Sequence, residues 1–343
     1  LSSTVVGVLD WAVYMGAAIQ ATVFGFVQQK FGWSAIFITI GCLYVVLLIL
    51  TLLARKMKMS EMIIGLTIVA AGTSAPELFS SLVSALKDKP DMAVGNVLGS
   101  NIFNAMLIVG CAAMVAPMTI TKSTVRKDIP FAVFASMLLM ALCADGFDSI
   151  ELKGKMISRI DGILLLIGFI VFMAYTLRGA KGTDAPEAAT SSAEIKAWKS
   201  VLFVVLGLAG LVIGSNLFVD SASSVASSLG VSDGVIGLTI VAGGTSLPEL
   251  ATSVVAARKG QSAMAIGNVI GSNVFNILAI LGLTAVISPM AISGITAVDF
   301  SMLLISILLV WMFSFTKYTV ARWEGALLSL GFFGYLAWLL YNI

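Results

Sequence analysis

The chain has 343 residues, of which 59% are hydrophobic and 11% charged, and its mean hydropathy is +1.04. An ordinary soluble domain is about one-quarter charged, and a soluble chain this apolar would expose large patches and aggregate. The composition is that of an integral membrane protein. A net charge of +2 excludes a nucleic-acid footprint, and the absence of histidine removes the commonest general base and metal ligand. Cys42, Cys111 and Cys143 lie scattered in apolar runs without metal-ligand spacing.

The apolar stretches run to about 20 residues, the length of membrane-crossing helices rather than of barrel strands. Eleven spans are predicted, near 4–26, 33–54, 62–86, 92–116, 130–144, 160–178, 200–222, 234–257, 263–288, 300–316 and 325–341. The first lacks a basic leader and is followed at once by another span, so it does not read as a signal peptide. The long polar connection from 179 to 199 reads as a flexible linker between two halves. Of the 20 Lys and Arg residues, 14 fall in loops on the side that includes this linker and 6 on the other. The richer side is expected to be cytoplasmic, which places the N-terminus inside and the C-terminus outside.

Residues 65–110 and 237–282 are a repeat: at a constant offset of 172, without a gap, 28 of 46 positions are identical. Shared apolar composition explains matching Leu and Val, but not Gly-Thr-Ser-Xaa-Pro-Glu and Gly-Ser-Asn-Xaa-Phe-Asn. The copies occupy spans three and four and spans eight and nine, so an odd offset of five spans inverts the second copy. Inverted repeats place a substrate site near the membrane midplane, between halves that can move against each other. The expected fold is an all-α polytopic membrane protein of about eleven transmembrane helices, built from two inverted-topology repeats with Pro-broken helices.

Glu77 and Glu249 lie midway along their spans, where an ionisable group costs about 3 kcal/mol even on lenient insertion scales. Pro76 and Pro248 precede them, each removing a backbone donor and breaking its helix near Gly72-Thr73 and Gly244-Thr245. Freed carbonyls in hydrocarbon are tolerated where they line a cavity, and Thr73, Ser74, Thr245 and Ser246 add hydroxyls at the same breaks. The blander alternative is a proline kink healed by Ser/Thr back-bonding. In the second motif the Gly-xxx-Gly spacing permits close helix packing. Ser100 and Asn104 share a face there, as do Ser272 and Asn276. Asn96, Asn101, Asn268 and Asn273 read equally well as interhelical hydrogen-bond glue. Two carboxylates amid amide, hydroxyl and carbonyl oxygens suit a hard cation, Ca2+ above all, and Na+ accepts the same ligands. Mutually exclusive occupancy by the two ions is what an exchanger requires.

These two copies resemble the alpha repeats of the sodium/calcium exchanger family, within the cation/calcium exchanger superfamily and nearest its bacterial branch, over about residues 57–343. The resemblance implies ion ligands at Thr73, Ser74, Glu77, Ser100 and Asn104 and at Thr245, Ser246, Glu249, Ser272 and Asn276, with backbone carbonyls of Ala70 and Ala242. Among these, Glu77, Glu249, Thr73 and Thr245 are the expected metal ligands. It implies Ca2+ and Na+ as cargo, no cofactor, and a multi-pass position in the cell (inner) membrane. Some relatives carry aspartate where this chain has Asn276, which leaves two carboxylates rather than three and bears on stoichiometry. The sequence sets no oligomeric state.

The repeat extends upstream only briefly, through Ser60-Glu61 and Ser232-Asp233. The second half has Gly-Ser-Asn-Leu-Phe-Val-Asp at 214–220 where the first has Cys42-Leu43-Tyr44-Val45-Val46-Leu47-Leu48. Residues 1–56 resemble instead the last two helices of an organophosphate:phosphate antiporter of the major facilitator superfamily. The expected domains are therefore a foreign pair of helices at 1–56, exchanger half 1 at 57–178, the linker at 179–199 and half 2 at 200–343. The junction falls near Lys56-Met57-Lys58-Met59, and a first residue of Leu rather than Met suggests a cut fragment. The leading expectation is Ca2+/Na+ antiport. The alternatives are Ca2+/H+ antiport through the same glutamates, a cation-binding chimera that cannot transport, and an intramembrane hydrolase with Ser74 as nucleophile. The hydrolase lacks any base but glutamate and leaves the duplication unexplained. A phosphate-ester transporter lacks the cationic pocket it needs.

Overall fold

The computed structural model describes residues 74–143, 155–179 and 223–342. Spans 4–26, 33–54 and 200–222, the junction at 56–59, Ala70, Thr73 and the linker beyond Gly179 lie outside the described residues.

Helix α1, Ala75–Leu86, carries proline in its first turn, where a missing N–H forfeits no intrahelical bond. It ends where Asp88 adopts a left-handed φ of 57°, and Pro90 opens helix α2, Pro90–Val115. Helix α2 widens into a π-helical stretch over Phe103–Ile108. Helix α3, Ile129–Cys143, and helix α4, Arg159–Gly179, complete the first half. The second half comprises α5, Asp233–Thr245; α6, Leu247–Arg258; α7, Ser262–Ile287; α8, Ala297–Ser314; and α9, Arg322–Tyr341. Ser232 caps α5 by accepting the Val235 N–H at 3.4 Å. Among the described residues, α2, α4, α7, α8 and α9 are long and apolar enough to cross a membrane, and the bent pair α5–α6 makes a sixth. Their ends fall within three residues of the predicted spans. Helix α3 is 15 residues long.

The duplication is visible element by element. Helices α1 and α6 coincide after a shift of 172 residues, as do Pro90–Ile102 and Ser262–Val274. The π-helical stretches begin at the equivalent Phe103 and Phe275. Two antiparallel ribbons each take one strand from either half. Strand β1, Met118–Thr119, pairs with β4, Thr319–Val320, while β2, Lys155–Ile157, pairs with β3, Met290–Ile292. The first ribbon joins loops that the charge count assigns to the basic side, and the second joins loops of the opposite side. On that opposite side Lys89 pairs with Asp233 at 2.9 Å, and Asp91 accepts the Ser293 N–H at 2.8 Å and its hydroxyl at 2.6 Å.

Glycines set the approach of α2 to α5. A Cβ on Gly95 would stand 2.7 Å from the Gly234 carbonyl oxygen, and one on Gly237 would stand 2.6 Å from that of Met92. The Gly-xxx-Gly reading is thus borne out at the first copy. Elsewhere the buried Tyr335 hydroxyl of α9 donates to Asp299 Oδ1 at 2.6 Å, while Asp299 Oδ2 accepts the Thr296 N–H and hydroxyl, both at 2.7 Å. Tyr335→Phe is expected to cost about 1.5–3 kcal/mol of stability, the worth of a hydrogen bond to a carboxylate. Thermal unfolding in detergent checks this, and a variant melting with the wild type contradicts it.

Candidate functional site

Both glutamates sit in the first turn of a helix that carries proline at its start, and both are fully buried. The unpaired N–H groups and dipole of a helix N-terminus favour negative charge there, which offsets part of the cost of two carboxylates at that depth. The α5–α6 axis bends by 46°. The break falls at Ser246, which has φ −93° and ψ 1°, directly after the expected Gly244-Thr245. The helix keeps its bond from the Ser246 N–H to the Ala242 carbonyl at 3.1 Å and restarts with the Leu250 N–H on the Ser246 carbonyl, also 3.1 Å. The proline therefore displaces the chain only after the last carbonyl that can still be served.

The Ala242 carbonyl, an expected ligand, thus already accepts one N–H and has a second lone pair. The single Thr245 hydroxyl proton has three acceptors in reach: the Val241 carbonyl at 3.0 Å, the Ala242 carbonyl at 3.3 Å and Asn96 Oδ1 at 3.3 Å. Back-bonding, the blander reading, is thus present at Thr245. Ser246 Oγ crosses to the other half and donates to Glu77 Oε1 at 3.1 Å.

Among the described residues, five expected ligand residues hold buried polar atoms with no hydrogen-bond partner: Ser74 Oγ, Glu77 Oε2, Ser100 Oγ, Asn104 Oδ1 and Nδ2, and Asn276 Oδ1. An unsatisfied buried polar atom costs about 1–3 kcal/mol, so native proteins keep few without a reason. Here they sit on α1, on α2 and on the π-helical stretch of α7, elements that pack against one another. Asn104 and Asn276 both lie in π-helical stretches, a distortion that recurs at functional sites. Ser272 and Glu249 are buried as well, on α7 and α6. Among the described residues no three His, Cys, Asp or Glu side chains gather as a metal cluster, so the donors are mainly neutral oxygens with two carboxylates.

Hydrogen bonds also distinguish supporting residues from those whose polar atoms are unpartnered among the described residues. Asn96 Nδ2 donates to Ser81 Oγ at 3.0 Å and to the Glu77 carbonyl at 3.3 Å, tying α2 to α1. Asn101 and Asn273 bond to each other across the halves. The glue reading therefore holds for these three. Ser81 escaped the sequence reading, although it stands one helical turn after Glu77 on the same face.

Inverted helical repeats enclosing a buried, oxygen-rich site define the class: a polytopic membrane transporter of cations. The chain belongs to the sodium/calcium exchanger family, whose model, described as sodium/calcium exchanger protein, matches residues 29–178 and 199–341. The match thus begins inside the segment assigned above to a foreign origin and takes in the span 33–54. The chain is 36% identical over 299 residues to the inner membrane protein YrbG of Escherichia coli, covering 84% of this chain and 89% of that one. It is 33% identical over 320 residues to the sodium/calcium exchanger MaX1 of Methanosarcina acetivorans, covering 84% and 91%. A solved structure of the sodium-calcium exchanger NCX_Mj, soaked with 10 mM Na+ and zero Ca2+, superposes with a TM-score of 0.65 at 27% identity, covering 98% of this chain and 95% of that one.

Proposed function

We propose that the protein exchanges Ca2+ for Na+ across the cell (inner) membrane by alternating access to one midplane site. The observation that carries this reading is the set of unpartnered buried atoms on Ser74, Glu77, Ser100, Asn104 and Asn276, packed where half 2 reaches half 1 through Ser246. Glu77 and Glu249 balance the two charges of Ca2+. Thr73, Ser74, Ser100, Asn104, Thr245, Ser246, Ser272 and Asn276, with the carbonyls of Ala70 and Ala242, supply neutral oxygens at the 2.3–2.6 Å that Ca2+ prefers. Na+, similar in size and content with fewer charges, occupies the same oxygens when Ca2+ leaves. A gradient of one ion then drives the other. The basic loops and the linker face the cytoplasm, and the C-terminus faces outward.

The matched family, the exchanger MaX1 and the exchanger NCX_Mj support sodium as the coupling ion. The test is Ca2+ uptake into proteoliposomes under either a Na+ gradient or a proton gradient. Uptake is expected with the first and absent with the second. Uptake driven by protons alone would make the glutamates proton carriers. Ca2+ binding without uptake under either gradient would identify residues 1–56 as a replacement that does not permit the halves to alternate.

A further inference from the structure

Asn101 and Asn273 occupy equivalent positions in the two repeats, 172 residues apart. Each side-chain Nδ2 donates to the backbone carbonyl of the other, both at 3.3 Å. A carbonyl only accepts, so this reciprocal pair fixes which end of each amide faces it. Asn101 must turn its nitrogen to Asn273 and its oxygen away. That oxygen accepts from Asn276 Nδ2 at 3.1 Å. Asn276 in turn must present its nitrogen to Asn101, so its own oxygen points elsewhere, and Oδ1 of Asn276 is buried without a partner among the described residues.

We propose that Asn101 is a positioning residue of the cation site, holding the Asn276 amide so that its neutral oxygen faces the ion. The proposal rests on the calcium reading above and adds a specificity consequence to it. An aspartate at position 276 would set a carboxylate oxygen against Asn101 Oδ1, two acceptors at hydrogen-bonding distance with no proton between them. Asn101 cannot turn over to relieve this without abandoning the Asn273 carbonyl. The chain is therefore built around an amide at this position, and a third carboxylate there conflicts with its support. The two halves differ in this respect. Among the described residues Asn273 Oδ1 and both amide atoms of Asn104 have no partner, so the equivalent bond from Asn104 to Asn273 is not made.

The test is Ca2+ titration of the purified full chain in Na+-free detergent solution, comparing wild type with Asn101→Ala, Asn276→Ala, the double variant and Asn276→Asp. Loss of one orienting hydrogen bond is expected to weaken Ca2+ binding about 3- to 10-fold in Asn101→Ala. Because Asn101 acts through Asn276, the double variant is expected to bind no more weakly than Asn276→Ala alone. Independent, multiplying losses would assign Asn101 to general packing and overturn the proposal. Asn276→Asp is expected to bind Ca2+ more weakly than wild type despite its added charge, and tighter binding would overturn the proposal. This variant exchanges one nitrogen for oxygen, so it decides the matter even where Asn101→Ala does not fold. Wild-type binding that Asn101→Ala leaves unchanged defeats only the positioning role. A wild-type chain that binds no Ca2+ defeats the calcium reading itself.

Discussion

Glu77→Gln is expected to abolish Na+-driven Ca2+ uptake while leaving a folded protein. Glutamine keeps the volume of the side chain and an oxygen that can accept from Ser246 Oγ, now 3.1 Å from Glu77 Oε1, so the link between the halves survives. What disappears is one of two negative charges facing a divalent ion. Even at an effective dielectric of about 20, a pair of unit charges 4 Å apart is worth about 4 kcal/mol, and Ca2+ carries two charges at a shorter distance. Ca2+ affinity is therefore expected to fall at least about 100-fold, with Glu249→Gln behaving likewise. Uptake assays paired with size-exclusion profiles read both consequences, and wild-type flux in either variant would remove that glutamate from the site. A variant that fails to fold would mean that Glu77 is structural.

Gly95→Val is expected to prevent the two halves from assembling. The new Cβ would lie 2.7 Å from the Gly234 carbonyl oxygen and 3.1 Å from the Leu238 amide nitrogen. Both are backbone atoms, with no rotamer through which to retreat. Between membrane helices lipid tails remove the hydrophobic drive, so adhesion depends on this close backbone approach. Overpacking a soluble core costs about 1–3 kcal/mol, and here the clash separates α2 from α5 over the contact that carries the site. We expect the melting temperature in detergent to fall sharply and the yield of monodisperse protein with it. Gly334→Ala serves as the control, since a Cβ there meets nothing within 4 Å among the described residues, and it should melt with the wild type. Equal stability of Gly95→Val and Gly334→Ala would contradict the packing argument.

Much of this architecture was legible because repetition and polarity in an apolar background are strong local signals. The offset of 172 that aligned the motifs also aligns α1 with α6, and the carboxylates after Pro76 and Pro248 are buried in the first turns of those two helices. The details that escaped were tertiary. That the break near Gly244-Thr245 settles at Ser246 depends on which carbonyl the restarting helix can still serve. The Thr245 hydroxyl depends on Asn96 arriving from the other half. The assignment of Asn101 and Asn273 as partners rather than ligands needed both halves at once, because each residue satisfies the other. The strands of the two ribbons are two or three residues long and pair between halves. No period along the chain could announce them.

The central claim is that Ca2+ and Na+ share one set of oxygens. Its most direct test is equilibrium Ca2+ binding to the purified chain across a series of Na+ concentrations. The account predicts that the apparent Ca2+ Kd rises with Na+ more steeply than in direct proportion, because several Na+ ions must leave before one Ca2+ enters. It also predicts that saturating Ca2+ restores full occupancy. A Ca2+ affinity indifferent to Na+ would mean that the ions bind apart, and the shared site would have to be abandoned.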